Sequence, residues 1–210
     1  MTDPTSNDAV YASGLLIRAL DPATQPPEIR AFMDAEVELL RTLLTPEMAV
    51  LDVGCGTGRH LHIVGDRVRF GLGVDYEWSY VADANRRGTR HVHFVVGDAT
   101  RMPVRAAFDF ALCLTNTFGT MADQPAVLRE MRRCAPRQGT RLVSVFSERS
   151  VPARREWYAR FGHPIADEAP DHLMTEGGLR SEHFTEARLR SLIGDCTIRS
   201  LAGIAYAAIF

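Results

Sequence analysis

The chain has 210 residues, 46% of them hydrophobic and 24% charged, with a formal net charge of −2. That length fits one domain with a sizeable core, and the near-neutral balance removes the electrostatic reason to expect nucleic acid as the main partner. All 24 basic residues are Arg and none is Lys, which excludes Schiff-base or general-base chemistry at a lysine.

The four cysteines (Cys55, Cys113, Cys134, Cys196) are scattered, with no CxxC pair and no metal-finger spacing. They read as free thiols of a reducing cytosol. No signal-like segment opens the chain and no apolar run approaches membrane-spanning length. The expectation is a cytoplasmic protein with neither a membrane nor a nucleic acid as partner.

In chain order, residues 1–8 are polar and read as frayed. Residues 10–20 carry apolar positions at helical spacing until Asp21-Pro22 and Pro26-Pro27 interrupt them, because proline cannot donate within a helix. Residues 28–44 predict an amphipathic helix with Ile29, Phe32, Met33, Val37, Leu40 and Leu44 on one stripe. From Ala49 onward strands and helices alternate. Strands are expected at 49–53, 70–74, 92–96, 108–114, 140–146, 195–201 and 204–210, and helices at 58–64, 77–87, 123–134, 152–160 and 185–193. This alternation implies an α/β fold with a doubly wound, mainly parallel seven-stranded sheet. Only Ala202 and Gly203 separate the last two strands, so they must form an antiparallel C-terminal hairpin. One domain is expected over 1–210, with 1–45 as an N-terminal helical lid and 46–210 as the core.

The most informative stretch is Val50-Leu51-Asp52-Val53-Gly54-Cys55-Gly56-Thr57-Gly58-Arg59, an apolar run ending in three alternate glycines. It reads as a buried strand turning sharply into a helix, with a backbone that a ligand can approach closely. A dinucleotide fingerprint would place glycine at the sixth position, where Arg59 stands, and a P-loop would need the absent lysine. A second acid, Asp75, ends the next strand 23 positions after Asp52, where a carboxylate can accept both hydroxyls of a ribose. A third, Asp98, follows the third strand, placed to accept from an adenine amino group while the Ala99 amide donates to a ring nitrogen.

With these three features in order, the chain resembles the class I S-adenosylmethionine-dependent methyltransferases, over roughly residues 30–210. VLDVGCGTG (50–58) matches the cofactor loop, GVDYEW (73–78) the acidic ribose motif with Tyr76, and VGDATRMPV (96–104) the adenine motif. FDFALCLTNTFG (108–119) matches the fourth-strand motif, and LREMRRCAPRQGTRLVSVF (128–146) the helix, turn and fifth strand. Pro136-Arg137-Gln138-Gly139 departs from the common Pro-Gly-Gly turn. The resemblance implies a Rossmann-like core and S-adenosylmethionine as cofactor. It sends the cofactor's ammonium to carbonyls near Gly54 and Leu114, with Asp52 orienting the loop, and its carboxylate to Arg59 or Tyr11.

Methyl transfer asks for alignment and water exclusion, plus a base where the nucleophile holds its proton. The ends of the fourth and fifth strands offer Asn116, Phe118 and Met121, then Ser147, Glu148 and Arg149. A Pro-broken segment over 154–172 adds Trp157, Tyr158, His163 and His172 as a wall and a base, although Trp157 and Tyr158 also fit helix packing. Asn116, Glu148 and His163 are the catalytic candidates. His60, His91 and His93 read as structural. The fourth strand ends Leu114-Thr115-Asn116 with no acid to hold a hard cation, so no metal is expected. Arginine pairs such as Arg132-Arg133 interleave with acids and read as solvated helix faces. The leading expectation is methyl transfer to nitrogen or oxygen of a small molecule, in specialised metabolism. A displacement or cyclisation other than methyl transfer, or a cofactor-binding subunit supporting a protein partner, stay open, as does a homo-oligomer.

Overall fold

The computed structural model describes residues 10–210 except 12, 13, 15, 22, 106, 107, 137 and 138. The expected frayed terminus (1–8), part of the expected first helix and Arg137-Gln138 of the departing turn therefore lie outside the described residues. Within the expected first helix, Val10 and Tyr11 are helical and Leu16–Ala19 forms a single turn.

Helix α1 (Pro27–Leu43) starts with proline at its first position, where no intrahelical N–H is needed. Its stripe buries Ile29, Phe32, Met33 and Leu40 almost completely, each worth about 1.5–3 kcal/mol of apolar burial. The strands and helices of the core follow: β1 (Ala49–Val53), α2 (Arg59–Val64), β2 (Phe70–Asp75), α3 (Trp78–Arg86), β3 (Val92–Val96), β4 (Phe110–Cys113), α4 (Gln124–Cys134) and β5 (Thr140–Phe146). Side chains cap two of these helix starts: Glu77 accepts from the Ser79 amide (3.0 Å) and Asp123 from the Ala126 amide (2.9 Å).

After β5 come α5 (Val151–Arg160), the short strands β6 (Ile165–Glu168), β7 (His172–Thr175) and β8 (Arg180–Glu182), then α6 (Glu186–Ile193), β9 (Thr197–Leu201) and β10 (Ala205–Ile209). The main sheet has seven strands in the order β3-β2-β1-β4-β5-β10-β9. Strand β10 runs antiparallel to both β5 and β9, and the other pairs are parallel. The expected doubly wound sheet with an antiparallel C-terminal hairpin is therefore present, with β9 rather than the last strand at the edge. Ala202 (φ 49°) and Gly203 (φ 72°) both take left-handed conformations, and the Ile204 amide donates back to the Leu201 carbonyl (3.2 Å). That is the twist-matched two-residue turn favoured between antiparallel strands.

One element was not expected. Strands β6, β7 and β8 form a separate three-stranded antiparallel sheet where the sequence suggested only a Pro-broken segment. These strands are three or four residues long and rich in charge, too short for a period of two to stand out. Among the described residues, no helix is long and apolar enough to cross a membrane.

Chain order runs outward from β1 to β3 on one side and from β4 to β5 on the other, so the sheet reverses direction between β1 and β4. Ligands of doubly wound sheets bind beyond the carboxyl ends of the strands at that switch point.

Candidate active site

Strand β1 is buried along all five residues and delivers the glycine loop to the switch point. Gly54, Gly56 and Gly58 have φ of 69°, 52° and 77°, all in the region that penalises a side chain. A Cβ on Gly54 would stand 2.3 Å from Thr117 Cγ2, and one on Gly58 would meet the Phe94 ring at 2.5 Å. A Cβ on Gly56 would meet nothing, because this residue faces open space. The amides of Gly54 and Cys55 both donate to the Val74 carbonyl (2.8 and 3.1 Å), and the Gly56 amide donates to Asp75 Oδ2 (2.8 Å). The loop is thus oriented by the end of β2. Asp52, expected to orient it, lies buried beneath with Oδ2 unpartnered among the described residues. Burial pushes its carboxyl up to about 7, and the nearby acids Asp75 and Glu36 add to the effect against the opposing His60.

A cavity of about 690 Å³ opens beyond these strand ends. Of the expected cofactor residues, Tyr11, Gly54, Gly56, Arg59, Asp75, Tyr76, Asp98, Ala99 and Leu114 line it. Asp52 and Gly58 sit behind the lining, one under the loop and one packed on Phe94. Asp75 is nearly buried and accepts from Gly56 on Oδ2 and from the Glu77 amide on Oδ1 (3.0 Å), which leaves lone pairs on both oxygens. Burial raises its carboxyl above the ordinary range. Asp98 takes the Thr100 amide and hydroxyl on Oδ1 (both 2.7 Å), so Oδ2 remains for an amino group. Tyr11 crosses to Tyr76 edge-to-face at 5.8 Å and donates to Thr120 Oγ1 (2.7 Å). The Leu114 carbonyl already accepts from the Thr117 amide (3.1 Å).

The catalytic candidates separate. Asn116 lines the cavity, but its amide is engaged on both sides: Oδ1 accepts from the Phe146 amide (2.9 Å) and Nδ2 donates to Ser181 Oγ and the Glu182 carbonyl (3.1 and 3.2 Å). It is a strut joining β4, β5 and β8. Glu148 is exposed and outside the lining. His163 is buried against Phe161, outside the lining, with both ring nitrogens unpartnered among the described residues. Each sits off the cavity for its own reason. The turn after β5 carries Glu148 to the surface, and the chain reverses at Gly162 (φ 91°), which tucks His163 under the small sheet. His172 is on β7, hydrogen-bonded to Asp171 (2.7 Å), and also outside the lining.

Other groups take those places. Trp157 and Tyr158 of α5 and Phe161 just after it are buried and form the wall of the cavity with Phe146, serving as both packing and lining. His60, expected to be structural, reaches the lining. Behind it stands Glu36 of α1, whose side chain is fully shielded from solvent. Glu36 Oε1 accepts from the Thr115 amide (2.6 Å) and from the Ser144 hydroxyl, while Oε2 accepts from the Thr115 hydroxyl (2.8 Å). His60 Nε2 lies 3.5 Å from Glu36 Oε2 and 3.0 Å from Arg59 Nη1. Burial alone would raise the Glu36 carboxyl, but His60, Ser144 and Thr115 outweigh it and hold it below the ordinary range. Its bonds clamp an unusual turn, since Thr115 and Asn116 have φ of 53° and 60°, costly for a β-branched residue. A signal existed: Glu36 falls three residues after Met33 and four after Phe32, inside the apolar stripe of α1.

The donor set fits S-adenosylmethionine. It offers paired acceptors at the end of β2, an acid at the end of β3, an open glycine where a chain can lie close, and an orphaned buried carboxyl under the loop. The amides of Gly54, Cys55 and Gly56 are engaged by Val74 and Asp75, so among the described residues this loop builds no phosphate cradle, in keeping with a nucleoside that carries no phosphate.

Residues 50–139 match the family model of a methyltransferase domain. Comparison with curated proteins gives no match. Among solved structures, a Pyrococcus horikoshii protein superposes with a TM-score of 0.69 at 20% identity, over 89% of this chain and 92% of the other. A 1,6-didemethyltoxoflavin-N1-methyltransferase of Burkholderia thailandensis, solved with 1,6-didemethyltoxoflavin and S-adenosylhomocysteine, gives 0.64 at 20% identity, over 100% and 90%. A "possible histamine N-methyltransferase" of Thermotoga maritima gives 0.62 at 18%, over 87% and 89%. At such identities the likeness establishes the fold, and the domain match marks residues 50–139 as a methyltransferase domain. Together with the geometry of the loop and its acids, they identify residues 50–139 as a methyltransferase domain on a Rossmann-like fold, with S-adenosylmethionine as its cofactor.

Proposed function

We propose that the chain transfers a methyl group from S-adenosylmethionine to a nitrogen or oxygen of a small molecule, without a metal. The observation that carries this reading is the continuity of one cavity of about 690 Å³, from Gly56, Asp75 and Asp98 to Trp157, Tyr158 and Phe161, within the size range of small-molecule sites. The bound cofactor supplies a methyl group on a sulfonium, already an activated leaving group. Asp75 holds the ribose, Asp98 and Ala99 the adenine, and Arg59 or Tyr11 the carboxylate. The aromatic wall excludes water and fixes the line of attack. With Glu148 and His163 off the cavity, catalysis rests on alignment. The lining by Tyr11, Ile17, Ala19 and Leu20 supports a lid over 1–45, on a core over 46–210. The unbridged Cys55, Cys113, Cys134 and Cys196 support a cytoplasmic setting. The bound toxoflavin precursor of the Burkholderia enzyme favours a small acceptor made in specialised metabolism.

Titration calorimetry checks this directly. The wild-type chain should bind S-adenosylmethionine, and Asp75→Ala should weaken it by about a hundredfold, a loss of about 2.7 kcal/mol. No binding by the wild type sinks the proposal. Binding with no S-adenosylhomocysteine released across a panel of amines and hydroxyl compounds would favour the displacement or subunit readings.

A further inference from the structure

The far end of the cavity carries a proton and a charge that the protein itself does not balance. The Asn116 amide is oriented by the Phe146 N–H on its oxygen (2.9 Å), so its nitrogen must donate to Ser181 Oγ (3.1 Å). Ser181 Oγ and the Tyr158 hydroxyl lie 2.8 Å apart, and one of the two must donate to the other. Two hydroxyl protons are present and this bond uses one. Whichever hydroxyl keeps the second has no acceptor among the described residues, and both residues line the cavity. A surplus buried donor calls for a ligand oxygen.

Arg154 stands directly behind. It is wholly buried, and its guanidinium lies 4.8 Å from the centre of the Phe146 ring and 5.6 Å from that of Tyr158. It donates to the Ser181 carbonyl (2.6 Å), with Ser150 Oγ and His183 Nδ1 at 3.5 and 3.4 Å. Its Nε has no partner, and no carboxylate pairs with it among the described residues. A buried cation without a counter-ion favours negative charge nearby. It also draws electron density from the far faces of the two rings, which then stack best on an electron-rich ring. Of the acids that line the cavity, Asp75 and Asp98 stand at the ends of β2 and β3 on the cofactor's side, and Asp123 is engaged as the cap of α4 through the Ala126 amide (2.9 Å).

We propose that this end is the acceptor subsite, and that it takes an aromatic molecule carrying a phenolate or enolate oxygen, received by the Ser181–Tyr158 hydroxyl pair and favoured by Arg154. The inference rests on the methyl-transfer reading and names its substrate class.

Three probes of one shape test it, with the protein saturated in S-adenosylhomocysteine: para-nitrophenolate, neutral para-nitrotoluene and cationic para-nitrobenzylammonium. The phenolate should bind at least about tenfold more tightly than either of the others. Tyr158→Phe and Ser181→Ala each leave one hydroxyl and should keep most of that preference, whereas the double variant should lose it. Arg154→Met should narrow the gap between phenolate and nitrotoluene. Should that variant fail to fold, the double variant, with its cofactor affinity as the check on folding, decides alone. Equal binding of the three probes, tighter binding of the cation, or a preference that survives the double variant would each overturn the inference while leaving the cofactor site standing. Failure of the wild type to bind S-adenosylhomocysteine would instead overturn the methyl-transfer reading, and this inference with it.

Discussion

Asp52 is held by burial with a carboxyl raised to about 7, against an ordinary value of 3.8. The folded protein therefore keeps this proton over a range in which the unfolded chain has lost it. Its contribution to stability is full below about pH 4 and is lost as pH rises toward 7, at up to about 1.4 kcal/mol per pH unit. Urea midpoints of the cofactor-free protein should show this by difference. Relative to wild type, Asp52→Asn should gain stability steadily from pH 4 to 7 and then level off; a constant difference would mean that Asp52 titrates normally. Glu36 has the opposite sign, because its lowered carboxyl adds stability above its unfolded value that is lost in acid. Removing it in Glu36→Ala strands the Ser144 hydroxyl, and leaves the Thr115 amide with Ser144 Oγ alone (2.9 Å) and the Thr115 hydroxyl with only His60 Nε2 at 3.5 Å. The expected cost is about 2–4 kcal/mol, read as a lower urea midpoint at unchanged slope. Asp75 and Asp98 were legible in the sequence because each ends a strand. The Glu36 cluster was not, because its members come from α1, α2, the end of β4 and β5, and only packing brings them together.

At the scale of elements, the turn between β9 and β10 holds the one described alanine with positive φ, Ala202 at 49°. A non-glycine residue there costs roughly 1–2 kcal/mol, and asparagine tolerates it better. Ala202→Asn should raise stability by about 0.5–1 kcal/mol and leave cofactor affinity unchanged, which a melting curve and a titration together would check. The seven strands of the main sheet were readable from their apolar runs, and their ends differ from expectation by at most two residues. The small sheet β6-β7-β8 was not readable. Its strands owe their state to pairing with one another, and the isolated bridge from Ser147 to Phe184 ties its far end back to β5. That sheet also carries Ser181 to the cavity, a residue no motif marked.

For the whole molecule, a ligand that binds only the folded state stabilises it by mass action. S-adenosylhomocysteine at a hundred times its dissociation constant should add about 2.7 kcal/mol, a rise of roughly 5–10 °C in melting temperature for a chain of this size. Asp75→Ala, binding about a hundredfold more weakly, should cut the gain to about 0.4 kcal/mol at the same concentration. The sequence by itself determined the order of strands and helices, the glycine loop and the three acids Asp52, Asp75 and Asp98 in or beside it. Each of these is encoded within one strand and the turn that follows it, where local pattern and backbone geometry suffice. Only the tertiary structure decided the other end of the cavity. It placed His163 and Glu148 off the cavity, turned Asn116 into a strut, and set Arg154 behind Tyr158 and Ser181. Those outcomes depend on contacts between residues up to 66 positions apart, as between Asn116 and Glu182, and on which buried donors and charges find partners once the chain has closed on itself.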